Sequence, residues 1–245
     1  MVGENRNGLM MERNYFPIFL YIKKFFNTFF PKILFGLSPN RYWAQQHWKF
    51  QGKEDIHGFD KYSEGSEFFP VIIHEIQIRV KNHNSILDLG CNCGYCLNEL
   101  KKEGYTNISG IDISPEAIAF GRENFNITDV SLILGSFEEI LPKLVRQKKQ
   151  FDLVYSVGAT LELVHPSFDI IQHIAKISKG YVVLIIFEWG HSYPRFWEYE
   201  FNRNGFILVK CIRPFDGSTI RGDIYSIPSL MVFKKIDKEL VKKIY

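Results

Sequence analysis

The feature that most constrains this chain is a regular alternation, from Glu67 onward, of short apolar runs with stretches of helical periodicity. Such alternation is typical of strand and helix units that feed a largely parallel sheet. We predict five parallel strands, a helix before the first of them, a helix between each pair, and then one more helix and two more strands. The strands are expected at 85–89, 108–111, 131–134, 151–156, 181–187, 206–212 and 225–234, and the helices at 68–80, 95–102, 115–124, 137–145, 168–178 and 195–204. The sequence therefore predicts an α/β fold with a seven-stranded, mostly parallel sheet and helices on both faces.

Two prolines refine this prediction. Ser114 and Pro115 form a typical helix start, with Ser114 as the N-cap and the proline at the first helical position. Pro228 falls inside the last predicted strand. Because proline cannot donate to a strand ladder, we expect that strand to lie at an edge of the sheet or to carry a bulge.

The residues before this pattern are expected to form a helical extension or lid, 1–65, ahead of a domain that spans 66–245. Residues 14–36 are dense in apolar side chains, but Pro17, Lys23, Lys24 and Pro31 interrupt them. No run approaches the roughly 18–20 apolar residues that span a bilayer, and no small-residue cleavage site follows. We therefore expect a cytoplasmic protein without a transmembrane segment.

Within this extension, seven apolar side chains share one helical stripe. They are Tyr15, Ile18, Phe19, Ile22, Phe25, Phe26 and Phe29. A stripe of this kind covers a protein core, packs against a second copy of the chain in a homodimer, or lies on a membrane surface. Leu20 and Phe30 fall on the polar side of the helix. This blurs the interfacial pattern and favours packing on protein, with peripheral membrane contact through residues 15–29 as the alternative.

Charge and cysteine content narrow the function classes. The 30 basic and 27 acidic residues leave a net charge of +3, whereas duplex-binding domains concentrate basic side chains on one face, so a nucleic-acid partner is disfavoured. Cys91, Cys93 and Cys96 crowd into one turn and Cys211 stands far away. A structural metal site needs four well-placed ligands, and the disulfide framework of a secreted protein needs pairs of cysteines that are spread along the chain. We expect no metal here, and interpret the thiols as small reduced side chains that pack around the turn.

The segment 85–94, Ser-Ile-Leu-Asp-Leu-Gly-Cys-Asn-Cys-Gly, carries the chemistry. A hydrophobic strand ends with Asp88 and enters a turn that contains Gly90 and Gly94, where the backbone can approach a ligand and the next helix presents its free N–H groups. Asp112 lies 24 residues after Asp88, at the end of the next strand. A carboxylate there can accept both hydroxyls of a ribose. Together these features predict a nucleoside site.

On these motifs, residues 67–235 resemble the class I S-adenosylmethionine-dependent methyltransferases, which have a Rossmann-like fold. The family's glycine-rich loop corresponds to Asp88–Gly94, with Asn92 in place of the middle glycine. The resemblance implies S-adenosyl-L-methionine as cofactor, with Asp88 near the methionine amino group, Gly90 and Gly94 leaving room, and Asp112 on the ribose. It also implies contacts with the adenine. We assign these to Ile113, Ser136 and Phe137, with the Ser136 hydroxyl in place of the usual acid.

The run after the fourth strand, 151–166, looks like the family motif that lines the reaction centre. Many small-molecule members carry Leu-Glu-His there, but Leu163 occupies the histidine position. Glu162 lies before it, and His165 and His191 are the remaining candidates for a general base, since both follow strands at the carboxyl edge of the sheet.

The stretch 86–113, together with the late segment 195–206, is loosely similar to stand-alone bacterial-type methyltransferases associated with sugars and surface glycans. We therefore expect methylation of a small-molecule or glycan-linked acceptor, at an oxygen atom. Two alternatives stay open: a nucleic-acid methyltransferase, although the Asn-Pro-Pro-Tyr type signature is absent after Asp152, and a cofactor-binding partner subunit without activity. A dehydrogenase is disfavoured because the loop lacks the G-x-G-x-x-G register.

Overall fold

The computed structural model describes residues 59–158, 160–187, 193–213 and 228–237, and also residues 21, 22, 24–26, 29, 45, 46, 49 and 50. Within this part of the chain the strands form a single seven-stranded sheet. They are β1 (Ile86–Leu89), β2 (Ile108–Asp112), β3 (Ser131–Leu134), β4 (Phe151–Val157), β5 (Ser178–Phe187), β6 (Phe206–Ile212) and β7 (Pro228–Lys235).

The order of strands across the sheet is β3-β2-β1-β4-β5-β7-β6. The first five strands pair in parallel, whereas β7 runs antiparallel to both β5 and β6. The predicted α/β, Rossmann-like fold with a mostly parallel seven-stranded sheet is confirmed.

Helices cover both faces of this sheet. They are α1 (Phe59–Ser63), α2 (Phe68–Gln77), α3 (Tyr95–Lys102), α4 (Pro115–Asn124), α5 (Phe137–Arg146), α6 (Ile170–Ile177) and α7 (Trp197–Arg203), with a short 3₁₀ helix at Leu161–Leu163 after β4. α2, α3 and α4 contribute to the core on one face, and α5, α6 and α7 to the core on the other. Strands buried on both faces read as continuous apolar runs, which is how residues 181–187 of β5 appear in the sequence.

β5 shows how one strand serves both cores. Val182, Leu184 and Ile186 belong to one core cluster, and the intervening Val183 and Ile185 belong to the other. All five are fully buried. Burial of each such side chain stabilises the fold by about 1.5–3 kcal/mol, so the sheet centre is the most stable part of the domain.

The start of α4 follows the local sequence signal. Pro115 occupies the first turn, and the Ser114 side chain accepts a hydrogen bond from the Ala117 backbone N–H at 3.2 Å. An N-cap of this type is worth about 1 kcal/mol, and it orients the loop that leads from β2 into the helix.

The prediction for Pro228 was wrong. β7 lies between β5 and β6, and Pro228 is its first residue, paired with Phe187. A proline at the start of a strand costs little because the ladder begins after it. At this end of the described sheet the edge strand is β6, which carries an irregularity between Leu208 and Lys210.

The extension contacts the domain at two places. The Phe59 ring of α1 lies 5.0 Å from the Phe120 ring of α4, between centroids. Further towards the N-terminus, Tyr21 contacts Phe196 and Phe29 contacts Tyr199 at 5.1 and 5.3 Å. The domain boundary at 65/66 stays a prediction.

The described part of the predicted stripe is partly solvent-exposed. Ile22, Phe25, Phe26 and Phe29 keep 48, 42, 36 and 44% of their surface in water, and what the stripe packs against stays a prediction. Tyr15, Ile18 and Phe19 lie outside the described residues. Among the helices of the described residues, none has the length and apolarity that a membrane span requires.

Candidate active site

A cavity of about 460 Å³ opens at the carboxyl ends of β1, β2 and β4. Parallel sheets bind ligands at this edge, where the loops after the strands converge. Most of the residues predicted to bind the cofactor line it: Asp88, Gly90, Asn92, Asp112, Ile113, Ser136 and Phe137. The site therefore assembles from loops that are far apart in sequence.

The loop after β1 has a backbone that suits close approach. Gly90 has φ +83° and Asn92 has φ +49°, both in the left-handed region that side chains with a Cβ rarely adopt. The N–H groups of Gly90 and Cys91 both donate to the carbonyl of Ile111, at 2.9 and 3.0 Å. These bonds hold the loop against the end of β2.

Gly90 and Gly94 differ in what their missing side chains make room for. A Cβ on Gly90 would lie 2.4 Å from Cγ2 of Thr160, so a side chain there collides with the protein as well as filling cavity space. Gly94, at φ +80°, is the N-cap of α3 and does not belong to the described lining. A Cβ on Gly94 would lie 2.9 Å from Cδ1 of Ile127, so its missing side chain makes room for packing in the turn, and its contact with the cofactor stays a prediction.

Asp112 is held by its own backbone neighbours. One carboxylate oxygen accepts from the Asn92 N–H and the other from the Ser114 N–H, each at 2.8 Å. Desolvation by burial raises the pKa of Asp112, and the backbone hydrogen bonds partly oppose it. Each oxygen retains a lone pair, so this fixed carboxylate can still accept the two hydroxyls of a ribose.

Asp88 lies at the end of β1 with 4% of its surface exposed. Burial raises the pKa of its carboxyl group to about 8, an increase that the nearby Tyr155 hydroxyl opposes and the Asp112 charge reinforces. Tyr155 is the register partner of Asp88 on the adjacent β4. A buried carboxyl group in this state fits a cationic ligand group, because a cation restores the ionised form.

Ser136 caps α5 through a reciprocal arrangement with Glu139. The Ser136 side chain accepts from the Glu139 backbone N–H, and the Glu139 carboxylate accepts from the Ser136 N–H at 3.2 Å. Ser136 therefore has a structural task as well as a place in the cavity wall. Its role towards an adenine stays a proposal.

The three clustered cysteines also line the cavity, and all are buried and reduced. Desolvation raises the pKa of the Cys93 thiol to about 11, and raises those of Cys91 and Cys96 further. Neutral thiols of this kind behave as small apolar side chains. In the described part of the chain, no group of His, Cys, Asp and Glu has a metal-binding arrangement.

Of the two predicted catalytic histidines, the structure describes only His165, and the catalytic role of both stays a prediction. His165 is 3% exposed, and its Nδ1 lies 3.2 Å from the donating Ser167 N–H and 2.8 Å from the Ser167 hydroxyl. Its neighbour Val164 lines the cavity, but His165 does not belong to the described lining. His191 lies outside the described residues.

Sequence reasoning missed the aromatic wall of the cavity. The aromatic residues of this wall are Phe59, Tyr62, Phe68, Phe69, Tyr95 and Phe187. Glu162 supports it, since its carboxylate accepts from the Phe187 N–H at 2.7 Å and so fixes the end of β5. The aromatic residues just before the first strand were the available signal, although nothing in the sequence indicated which face they would cover.

A family model described as a methyltransferase domain matches residues 86–180, which run from β1 into β5 and include the glycine loop and both buried carboxylates. Residues 86–180 therefore form a class I S-adenosylmethionine-dependent methyltransferase domain. S-adenosyl-L-methionine is the cofactor of this domain. The charge and hydrogen-bond arrangement fits it, with Asp88 suited to the ammonium group and Asp112 to the ribose.

Known proteins similar to this chain are methyltransferases. EEF1A lysine methyltransferase 2 from Homo sapiens is 32% identical over 113 residues, which are 43% of this chain and 48% of that protein. The chain thus spans about half the length of this curated relative.

Solved structures show the same fold. The CcbJ methyltransferase from Streptomyces caelestis superposes with a TM-score of 0.58 at 15% identity, over 78% of this chain and 98% of that one. Magnesium protoporphyrin IX methyltransferase from Synechocystis PCC 6803, solved with its cofactor, gives a TM-score of 0.55 at 11% identity, over 88% and 96% of the two chains. At these identities the likeness concerns the fold alone.

Proposed function

We propose that the protein transfers the methyl group of S-adenosyl-L-methionine to an oxygen nucleophile on a small-molecule or glycan-linked acceptor. The observation that carries this proposal is a cavity of about 460 Å³ that is lined both by polar residues of the strand-end loops and by the aromatic wall. A volume of this order is typical of small-molecule sites, which span roughly 300–1,000 Å³.

The polar wall suits the cofactor. When bound, the cofactor supplies a methyl group activated on a sulfonium. In our proposal Asp88 pairs with the ammonium group, Asp112 accepts from the ribose hydroxyls, and Ile113 and Phe137 pack against the adenine. The Ser136 hydroxyl accepts from the adenine amino group.

The aromatic wall suits the acceptor. Phe59 and Tyr62 come from α1, Phe68 and Phe69 from α2, and Phe187 from the end of β5. Aromatic side chains exclude water and bury one face of a small ring-shaped molecule with little loss of conformational entropy. Methyl transfer depends mainly on alignment of the reacting atoms, which an enclosed wall of this kind provides.

An oxygen acceptor also benefits from a base that removes its proton. We propose His191 for this task, because in the sequence it closely follows β5, whose last residue Phe187 lines the cavity. We assign His165 a positioning role: its contacts with Ser167 and its edge-to-face contact with Tyr193, at 5.3 Å, hold the segment that carries Val164.

Histidine substitutions test this division. His191→Ala is expected to lower kcat by about 10²–10⁴-fold and to remove the acidic limb of the pH–rate profile. His165→Ala is expected to keep that limb and to raise KM instead. His83→Ala, at an exposed position, is the control. Loss of the acidic limb in His165→Ala would reverse the two assignments.

The acceptor class is tested by incubating the purified protein with methyl-labelled cofactor and cell extract, followed by separation into small molecules, glycans, proteins and nucleic acids. Label is expected in the small-molecule or glycan fraction, and much less of it with Asp112→Asn at a cofactor concentration below the Kd of that variant. Label in nucleic acid, or cofactor binding without any transfer, would contradict the proposal and favour a nucleic-acid enzyme or a partner subunit.

Methylation of a protein side-chain amine is a second candidate. The 32% identity to a protein lysine methyltransferase over 113 residues favours it. The same labelling experiment distinguishes it, because the label would then stay with protein and appear as methyl-lysine after complete hydrolysis.

A further inference from the structure

An exposed aromatic surface lies outside the cavity. It consists of Tyr21, Ile22, Phe25, Phe26 and Phe29 in the N-terminal segment together with Tyr199 of α7, and we call it the N-terminal aromatic face. Their exposed fractions are 64, 48, 42, 36, 44 and 47%. None of these residues belongs to the described cavity lining, so the cofactor site does not account for this face.

The face is an ordered cluster. Ile22, Phe25, Phe26 and Phe29 follow the i, i+3, i+4, i+7 spacing of one helix side, and all four are helical. The Phe25 ring lies 5.9 Å from Phe26 and 5.2 Å from Phe29, between centroids. Contacts of Tyr21 with Phe196 and of Phe29 with Tyr199 attach the cluster to the start of α7.

The exposed area is comparable to the largest apolar patch on a typical monomer, which is often functional. Large aromatic side chains present roughly 150–250 Å² each, so the six exposed fractions amount to an area on the order of 500 Å². Contiguous apolar patches of this size on soluble domains mark interaction sites.

The charged residues of the N-terminal segment of this face are of one sign, whereas Tyr199 has the exposed Glu198 beside it in α7. Residues 15–36 contain Lys23, Lys24 and Lys32 and no Asp or Glu, together with seven Phe and two Tyr. Lys24 lies 6.0 Å from the Phe196 ring centroid, so a positive charge borders the aromatic cluster. Aromatic side chains beside lysines, without acids, are typical of helices that lie in an anionic lipid interface.

We propose that the N-terminal aromatic face docks the protein on an anionic lipid surface. The aromatic rings would enter the boundary between headgroups and acyl chains, and the lysines would face the negative headgroups. A second copy of the chain matches the face less well. A two-fold contact brings the same patch of both copies together, and with it two sets of three lysines. This proposal does not depend on the methyl acceptor or on activity.

The test is vesicle co-sedimentation of the full chain, at low and at physiological salt. Vesicles of phosphatidylcholine with roughly a third phosphatidylserine are expected to bind the protein, and vesicles of phosphatidylcholine alone are expected to bind it at least ten-fold more weakly. Salt is expected to weaken binding because exposed charges are screened within about 8–10 Å. Equal binding to both vesicle types, or no binding, would overturn the proposal.

Matched variants locate the contact. Phe25→Ala/Phe26→Ala and Lys24→Glu are each expected to lower vesicle partitioning about ten-fold or more. Ile78→Ser is the apolar control, at a position 57% exposed on the opposite face of the sheet, and Lys143→Glu on α5 is the charge control. Circular dichroism and cofactor titration verify that each variant is folded. If the controls reduce partitioning as much as the face variants, the proposal fails.

A dimer is the competing outcome. Light scattering that shows a dimer of the full chain, converted to a monomer by Phe25→Ala/Phe26→Ala in the absence of lipid, would identify the face as a contact between copies and overturn lipid docking. A monomer in both proteins, together with variant-sensitive vesicle binding, is the result that we expect.

Discussion

At the scale of single residues, the two buried carboxyl groups of the cavity do different work. Asp112 has both oxygens fixed by backbone N–H groups at 2.8 Å, so its position is set before any ligand arrives. From the described residues Asp88 accepts no backbone bond of that kind, and burial raises its pKa to about 8. Asp112 is therefore positioned to accept hydrogen bonds in a fixed geometry, whereas Asp88 is suited to a ligand group with a positive charge.

The substitution Asp112→Asn is expected to weaken cofactor binding about ten- to hundred-fold, since a charge-assisted pair of hydrogen bonds is worth roughly 1.5–3 kcal/mol. The amide keeps one oxygen acceptor for the loop, whereas alanine would leave two backbone N–H groups without their partner. Calorimetric titration with S-adenosylhomocysteine measures the change. Asp129→Asn, at an exposed carboxylate paired with Lys101, is the control. Unchanged affinity in folded Asp112→Asn would refute the ribose assignment.

Cofactor binding is expected to release a proton below pH about 8, because burial raises the pKa of Asp88 to that value. Near neutral pH the free protein holds this carboxyl mostly protonated, and a cationic ammonium group favours the ionised form. Affinity therefore rises with pH towards 8. Calorimetry in buffers of different ionisation enthalpy, between roughly pH 6 and 7.5, measures the released proton.

The Asp88→Asn variant is the control for this proton release, which it should abolish. In the free protein a carboxyl pKa raised on folding removes stability as the pH rises from 3.8 to about 8. The asparagine variant should therefore lose less stability across that interval than the wild type does. Proton release of equal size in the variant would show that another group titrates.

At the scale of elements, the cofactor loop depends on how closely α4 approaches it. A Cβ on Gly121, in the middle of α4, would lie 1.9 Å from the carbonyl oxygen of Cys93. The helix can pack here only because position 121 has no side chain. The glycine loop is thus shaped by a neighbouring helix as well as by its own residues.

Gly121→Ala is expected to destabilise the protein by about 1–3 kcal/mol, through overpacking. The direction of the change in the free energy of unfolding is informative, because replacing glycine with alanine inside a helix ordinarily stabilises a protein by up to about 1 kcal/mol. Urea unfolding measures the free energy of unfolding, and Glu123→Ala, at an exposed site on the same helix, is the control. A stabilised Gly121→Ala variant would show that α4 stands further from the loop.

At the scale of the whole molecule, the site joins both halves of the sheet. Loops after β1, β2, β3 and β4 contribute to one cavity, and the end of β5 closes it through Phe187. A ligand that bridges these loops must stabilise the folded state as a unit, since unfolding of any one loop loses its contacts.

Saturation with S-adenosylhomocysteine, at about a hundred times its Kd, is expected to stabilise the fold by about 2.7 kcal/mol. For a domain of this size the corresponding increase in Tm is roughly 5–10 °C. Scanning calorimetry checks this, and the increase should shrink in Asp112→Asn at the same ligand concentration. An unchanged Tm in the wild type would contradict the placement of the cofactor in this cavity.

The sequence by itself determined what depends on local chemistry and periodicity. The Ser114–Pro115 start of α4, the apolar strands β1 to β5 and the glycine loop at Gly90 all follow from neighbouring residues, and the structure agrees with the predicted sheet and helix order. The buried carboxylates at 88 and 112 followed from their position at strand ends, because strand ends in parallel sheets share one edge.

Only the tertiary structure decided what depends on residues brought together from afar. β7 is an internal strand in spite of Pro228, since hydrogen-bonded order is a property of the sheet and not of one segment. Tyr155 faces Asp88, and Thr160 crowds Gly90, across strand pairings that no local pattern encodes. The aromatic wall and the exposure of Phe25 and Phe29 are likewise set by packing. The burial of a side chain depends on contacts with every element that packs around it, whereas a periodic stripe in the sequence indicates only that one side of a helix is apolar.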